Sequence, residues 1–237
     1  MRMTRDSGSD KAAVYEQFAR IGKALANPGR LELLDLLAQG ERTVEGLAGA
    51  AAMKVSNTSA QLKVLLSTGL VVARRDGVKM FYRLADEQVA ALVDQVKDLA
   101  TARLADAERA TRRYLGDVAA LERVEAGELA RRLNETGLVV VDVRPVREYA
   151  AAHIPGAVNV PHDQLTARLP EFIAALPDGA DIVAYCRGRY CVFAFDAVRL
   201  LHQCGHAARV LDGGLPRWRR AGLPLRTGRT GDEGEAA

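Results

Sequence analysis

The chain has 237 residues, 49% of them hydrophobic and 27% charged, with a net charge of +3 and three cysteines. That length suits two compact domains, each able to bury a core without disulfide staples, so the cysteines are free for chemistry. Residues 1–12 are polar and nowhere do about 18 apolar residues follow one another, so the expectation is a cytoplasmic protein with no membrane partner.

Val14, Phe18, Ile21 and Leu25, spaced by three or four residues, predict a first helix that stops before Asn27-Pro28-Gly29. Leu31, Leu33, Leu34, Leu36 and Leu37 mark a second helix closed by Gly40, Thr43 caps a third through Ala50, and Ser56 or Asn57 caps a fourth that runs to Thr68. Two strands follow, Leu70 to Arg75 and Val78 to Leu84, around the turn pair Asp76-Gly77. From Asp86 to about Tyr114 there is neither Pro nor Gly, and Val89, Leu92, Val93, Val96, Leu99 and Leu104 fall on roughly one face. One helix of about 28 residues at about 1.5 Å each is about 42 Å long. It outreaches a small domain, so part of its stripe is expected to meet a second subunit in a homodimer, the alternative being a helix folded over its own subunit or bridging to the second domain.

After Gly116 strands alternate with helices. Leu138 to Val143, Asp181 to Tyr185 and Ala208 to Leu211 are short, nearly unbroken apolar runs, as in strands covered on both faces, with helices near 124–134, 164–176 and 192–203. The expected fold is therefore a mainly α domain of short helices and a hairpin over 1–117 and an α/β domain over 118–237, a parallel sheet with helices on both faces. The Gly-rich, charged residues from about 228 are expected to form a disordered tail.

The charge excess belongs to the first half, where residues 1–120 hold 18 Lys and Arg against 15 Asp and Glu while 121–237 hold 15 of each. Within 42–83, seven basic residues face only Glu45 and Asp76, a local +5 suited to phosphates. Ser56, Asn57, Thr58, Ser59, Gln61 and Lys63 give the fourth helix a polar face that can reach base edges or phosphates, with Leu62, Leu65 and Leu66 facing inward. Arg74, Arg75 and Lys79 suit a wing lying on the backbone of double-stranded DNA. The run Val55 to Val71, with Ala24 to Arg30 before it and the Arg74-to-Arg83 hairpin after it, resembles the ArsR-type winged helix-turn-helix repressors. That resemblance implies a homodimer placing two recognition helices in successive major grooves of an operator. Many such repressors sense metals through Cys or His ligands, but here no Cys or His precedes His153. No metal and no cofactor are therefore expected, and any signal should enter through the second half.

All three cysteines and all four histidines lie beyond residue 150. A strand ending at Tyr185 and a helix starting near Cys191 make Cys186 to Cys191 a tight loop, whose backbone N–H groups and helix N-terminus favour a thiolate. Cys186 is the candidate nucleophile, with Arg187 and Arg189 as charges for an anionic donor such as thiosulfate. Val141-Asp142-Val143-Arg144 with Glu148, Tyr149 and His153 to Ala157, then Ala184 to Cys191, then Val210 to Trp218, together resemble a rhodanese domain. The resemblance implies transfer of a sulfane sulfur through a cysteine persulfide, and its six-residue loop matches sulfurtransferases rather than related phosphatases and arsenate reductases.

The sixth loop position, commonly Arg or Lys in that family, is Cys191 here. This points to a Cys191 that attacks a persulfide on Cys186 and leaves a disulfide, rather than to fast turnover. Asp142, Arg144 and Glu148 are expected to tie a loop by ion pairing, His153 to be a hydrogen-bonded loop histidine, Trp218 to pack a helix on the sheet, and Cys204 to be inert. The combined reading is a repressor whose rhodanese domain senses reactive sulfur, thiosulfate or polysulfide, through Cys186 and Cys191. Two alternatives stay open: a working sulfurtransferase tethered to DNA, and an inert interaction module.

Overall fold

A computed structural model describes residues 7–118 and 120–228, so the expected tail from about 228 lies almost wholly outside the described residues. The chain divides into compact units of residues 1–95 and 96–237. The division falls earlier than the expected 117/118 boundary because residues 105–115 form a helix that packs on the second unit.

In the first unit, helices α1 (Ser7–Leu25), α2 (Pro28–Leu37), α3 (Val44–Ala50) and α4 (Val55–Ser67) come in close succession, with a two-residue strand β1 (Arg42–Thr43) between α2 and α3. Local chemistry sets their starts. Asn27 Oδ1 accepts from the Arg30 amide at 3.1 Å with Pro28 in the first turn of α2, and Thr43 Oγ1 accepts from Gly46 at 3.1 Å to start α3. The start of α4 differs from expectation: Lys54 occupies the cap position with no side-chain bond, and Ser56 and Asn57 lie inside the helix. Strands β2 (Val71–Asp76) and β3 (Lys79–Leu84) pair antiparallel across Gly77, whose φ of +58° suits the turn. β1 joins the edge of β3 through Arg42↔Tyr82, an addition too short to show a period in the sequence.

Leu33, Leu34, Leu47, Leu62 and Leu65 are essentially fully buried, each contributing roughly 1.5–3 kcal/mol from removal of apolar surface. The inward face of α4 is Thr58, Leu62 and Leu65, whereas Leu66, expected inside, is exposed. Val14 and Phe18 of α1 are also exposed within the chain, and among the described residues of that helix Ala24 and Leu25 are the buried ones.

The long helix expected after the hairpin is two helices. α5 (Glu87–Arg103) starts in the first unit, where Val89, Ala90 and Val93 are buried, and ends in the second; α6 (Ala105–Leu115) follows. The break is Leu104, whose extended backbone (φ −111°, ψ 107°) ends the helical hydrogen-bond ladder without Pro or Gly, so composition gave no sign of it.

The second unit continues with β4 (Arg123–Val124), α7 (Ala126–Arg132), β5 (Leu138–Asp142), α8 (Val146–Ala151), β6 (Val158–Asn159), α9 (Leu165–Ala174), β7 (Asp181–Tyr185), α10 (Val192–Gln203), β8 (Ala208–Leu211) and α11 (Gly214–Arg220). The strands form one parallel sheet in the order β4-β8-β7-β5-β6. Alternation along each strand splits the core in two. Val141, Ile182, Ala184 and Val210 pack with Phe195 and Val198 of α10 on one face, while Val140, Val183, Tyr185 and Leu211 pack with Leu129 of α7 and Trp218 of α11 on the other. Trp218 is fully buried and its indole N–H donates to the Pro224 carbonyl at 2.8 Å.

Asp142 and Arg144 form a fully buried ion pair after β5. Arg144 Nη2 lies 2.6 Å from Asp142 Oδ2, its Nε 3.0 Å from Oδ1, and its backbone N–H also donates to that carboxylate. Removing one partner strands a buried charge. Asp142→Ala is expected to cost about 3–5 kcal/mol in urea unfolding, and Asp142→Leu combined with Arg144→Met distinctly less; equal losses would show that charge burial is not what the pair compensates.

Candidate functional site

Strand β7 ends at Tyr185, and the chain turns from Cys186 to Cys191 in six residues before α10 begins. This places the loop at the carboxyl end of an inner strand, where open parallel sheets build their sites. The loop is held from outside by the start of α11. The Leu215 amide donates to the Cys186 carbonyl at 3.1 Å, and a Cβ on Gly214 would lie 2.3 Å from that carbonyl oxygen and 2.9 Å from the Gly188 amide. Gly214 also has φ +56°, so only glycine meets both demands.

Both loop cysteines are free thiols. Cys186 is 2% exposed, with its Sγ 3.4 Å from the Cys191 carbonyl oxygen and 3.7 Å from that of Gly188. Burial, with the neighbouring Cys191 sulfur as a second cause, pushes its thiol well above the ordinary range. Cys191 is only partly buried and caps α10. A hydrogen bond from Cys186 brings its thiol down to about 7 against the cost of burial, helped by the backbone amides of Phe193 and Arg187 and by the Arg187 charge. The directions of the two shifts favour the proton on Cys186 and the thiolate on Cys191.

The loop arginines are not turned toward the thiols as free charges. Arg187 makes a two-pronged contact with the buried Glu148 of α8 (Nη2–Oε1 2.7 Å, Nε–Oε2 3.0 Å) and lies over the Phe193 ring at 5.1 Å. Glu148 thus serves Arg187, while Asp142 and Arg144 pair with each other. Arg189 divides between Asp98 (3.2 Å) and Asp212 (3.1 Å). Burial raises the Asp212 carboxyl, but Arg189 and Arg123 hydrogen-bonded to it and the nearby Arg217 hold it below the usual range. Tyr190 reaches Thr101 with its hydroxyl at 3.0 Å. Glu148 and Asp212 lie inside the sequence segments that marked the domain, but nothing in the sequence pointed to Asp98 or Thr101.

His153 Nδ1 lies 2.9 Å from the Tyr149 carbonyl and its ring stacks on Tyr149, consistent with a structural loop histidine. Cys204 is exposed at the end of α10. Among the described residues no group of three or more His, Cys, Asp or Glu is arranged to hold a metal, and no helix is long and apolar enough to cross a membrane.

In the first unit, Ser56, Asn57 and Lys63 are exposed on α4 and Ser59 is half-buried. Thr58 departs from its expected role: it is fully buried and its hydroxyl donates to the Lys54 carbonyl at 3.1 Å, because position 58 shares the inward stripe with Leu62 and Leu65. Gln61 is engaged on both sides, accepting from Arg30 at 2.8 Å and donating to Asn57 at 3.1 Å. In the hairpin, Arg74 is bound by Glu41 and Asp76 and lies over Phe81 at 4.7 Å, Arg75 donates to the Gly77 carbonyl at 3.0 Å, and Lys79 is exposed. Lys54, at the tip of α4, is an exposed cation outside the expected set.

Comparison with known proteins gives both halves a family. Residues 27–72 match the model of the bacterial regulatory protein, arsR family, and residues 125–221 match the rhodanese-like domain. The chain is 49% identical over 218 residues, 92% of its length and 94% of the relative's, to the HTH-type transcriptional regulator Rv0324 of Mycobacterium tuberculosis. It is 39% identical, over 40% of its own length and 75% of the relative's, to a probable mercury resistance operon repressor of Streptomyces lividans. Among solved structures, a homodimeric winged helix-turn-helix DNA-binding domain from Mycobacterium bovis is 49% identical, covering 45% of this chain and 95% of that one, with a TM-score of 0.40.

Two outcomes follow from the geometry. Alkylation of the reduced protein by limiting iodoacetamide is expected to fall first on Cys191, with a rate that rises through about pH 7. In Cys186→Ala the donor that lowers Cys191 is gone, so its rate at pH 7 should drop by roughly tenfold, read by peptide mass mapping. Glu41→Gln together with Asp76→Asn removes both carboxylates that pair with Arg74, so DNA binding should tighten at low salt and its log–log salt dependence steepen; an unchanged slope would mean that Arg74 meets no phosphate.

Proposed function

This chain belongs to the ArsR-family transcriptional regulators that carry a rhodanese-like domain, and we propose that it represses transcription in response to reactive sulfur at Cys186 and Cys191. The observation that carries the reading is two free thiols at the ends of one six-residue loop, the Cys186 Sγ 3.4 Å from the Cys191 carbonyl oxygen, in a protein with no Cys or His before residue 153.

The Cys191 thiolate attacks the outer sulfur of a polysulfide or thiosulfate, forming Cys191–S–S⁻ and releasing the shortened polysulfide or sulfite. Cys186 then attacks the Cys191 sulfur itself. A Cys186–Cys191 disulfide forms, and sulfide leaves as HS⁻ with the proton from Cys186, so the sulfane sulfur is reduced as the two thiols are oxidised. The second thiol ends the reaction in the protein instead of passing sulfur to an acceptor, and both loop arginines are occupied by carboxylates. Both features favour a switch over a turnover enzyme.

DNA contact is assigned to Ser56, Asn57, Ser59 and Lys63 on α4 and to Lys79, Arg75 and a released Arg74 on the hairpin, with Gln61 braced by Arg30. The exposed apolar residues Val14, Tyr15 and Phe18 of α1 support a homodimer reading two half-sites one helical turn apart.

The test is a gel shift on operator DNA selected with the reduced full-length protein, paired with mass mapping of the loop peptide. Polysulfide should change wild-type affinity by roughly tenfold or more, a coupling of ordinary size, and leave a Cys186→Ser, Cys191→Ser double variant unaffected. Equal affinities before and after a mass-verified modification would sink the sensor reading. Many turnovers with thiosulfate and a thiol acceptor would make the domain an enzyme instead.

A further inference from the structure

The loop residues between the two cysteines make an unexpected set of contacts. Tyr190, one peptide bond from Cys191, places its hydroxyl 3.0 Å from Thr101 Oγ1 and 3.4 Å from Asp98 Oδ1. Lys97 Nζ lies 5.7 Å from the centre of the same ring, and Arg189 Nη1 lies 3.2 Å from Asp98. Thr101 stands three residues after Asp98 and four after Lys97 in the last turns of α5, so one helix face receives both loop side chains. Arg189 is anchored from behind by Asp212, which leaves Tyr190 as the member tied most directly to a reactive sulfur.

Tyr190 directly precedes Cys191, so a change in the backbone at Cys191 reaches it through one peptide bond. A persulfide adds an atom about 2 Å beyond Sγ, and a disulfide demands sulfur atoms about 2 Å apart with a restricted dihedral angle. Cys186 is fixed by β7 and by the Leu215 amide, with Gly214 against its carbonyl, so the displacement falls on Cys191 and the residue before it. A cavity of about 690 Å³, lined in part by Asp98, Thr101, Tyr190 and Asp212, gives the Tyr190 ring space to withdraw without opening the core. The receiving helix is unbroken from Glu87, so whatever happens at its last turns happens to the same helix whose first turns are buried in the DNA-binding unit.

We propose that Tyr190, braced by Arg189, latches the C-terminal turns of α5 while both thiols are unmodified, and that sulfur addition or bridging at the cysteines releases them. The proposal rests on the reading that the cysteine pair takes up sulfur, and it names how that event leaves the rhodanese domain. Thr101 and Asp98 are positioning residues in it, and the chemistry at sulfur does not need them.

The experiment is hydrogen–deuterium exchange on the full-length protein, following peptides that cover residues 96–104. Four samples are compared: reduced wild type, wild type after sodium tetrasulfide with the modification verified by mass, and untreated and treated Tyr190→Phe, with Thr101→Val as a second variant against misfolding. Tyr190→Phe and Thr101→Val should exchange roughly five-fold faster than reduced wild type in this segment, as expected from loss of one tertiary hydrogen bond. Treated wild type should match them, and treating the variants should add sulfur mass without further acceleration. Operator affinity of untreated Tyr190→Phe should resemble that of treated wild type. Variants that exchange like reduced wild type overturn the latch, as does a modified wild type whose 96–104 segment is unchanged. If tetrasulfide adds no mass and forms no disulfide, the sulfur reading fails by itself, while the untreated variants still decide whether the contact holds α5.

Discussion

The approach of two backbones, the Cys186 carbonyl against Gly214, is the constraint on which the second domain's chemistry depends. A loop of six residues joining a central strand to a helix cannot close unless something holds its first carbonyl, and here the amide of Leu215 does so at 3.1 Å. That grip buries Cys186, and burial keeps its proton on sulfur. The proton then serves Cys191, whose thiolate gains a donor from its neighbour and amides from the start of α10. One steric requirement, met by a glycine at positive φ, thereby shapes the surroundings of both thiols.

Charge is arranged with similar economy in both domains. Three arginines of the basic hairpin and the six-residue loop are already paired: Arg74 is held by Glu41, Arg187 by Glu148, and Arg189 by Asp98 and Asp212. An arginine already paired with a carboxylate contributes to a ligand only the difference between two interactions, so these contacts tune binding more than they create it. They also give each site a second partner through which it can be adjusted, as Asp98 does for the loop.

Much of this was open to inspection in the chain itself. The four opening helices, the Asp76-Gly77 hairpin and the alternation of apolar runs with helices are local patterns, and each appears where periodicity and turn chemistry put it. The two families were legible too, because their marks are contiguous runs. What failed were statements about direction and continuity. Thr58 and Leu66 exchanged their expected sides because a helix face is defined by what packs on it, and α5 and α6 separated at Leu104, a residue with no intrinsic tendency to break a helix.

By itself the sequence determined which side chains each half could use: a basic, thiol-free first half, and a second half holding every cysteine and histidine. It also determined that Cys186 and Cys191 share one six-residue loop. Only the tertiary structure decided which of them is the more deeply buried, which arginines are already paired, and that Tyr190 meets Thr101 across 89 positions of sequence. The reason is physical. Composition and spacing record what a chain carries and how it repeats, whereas ionisation and pairing depend on solvent exclusion and on distances of a few ångströms between residues far apart in the chain, which exist only once the fold is complete.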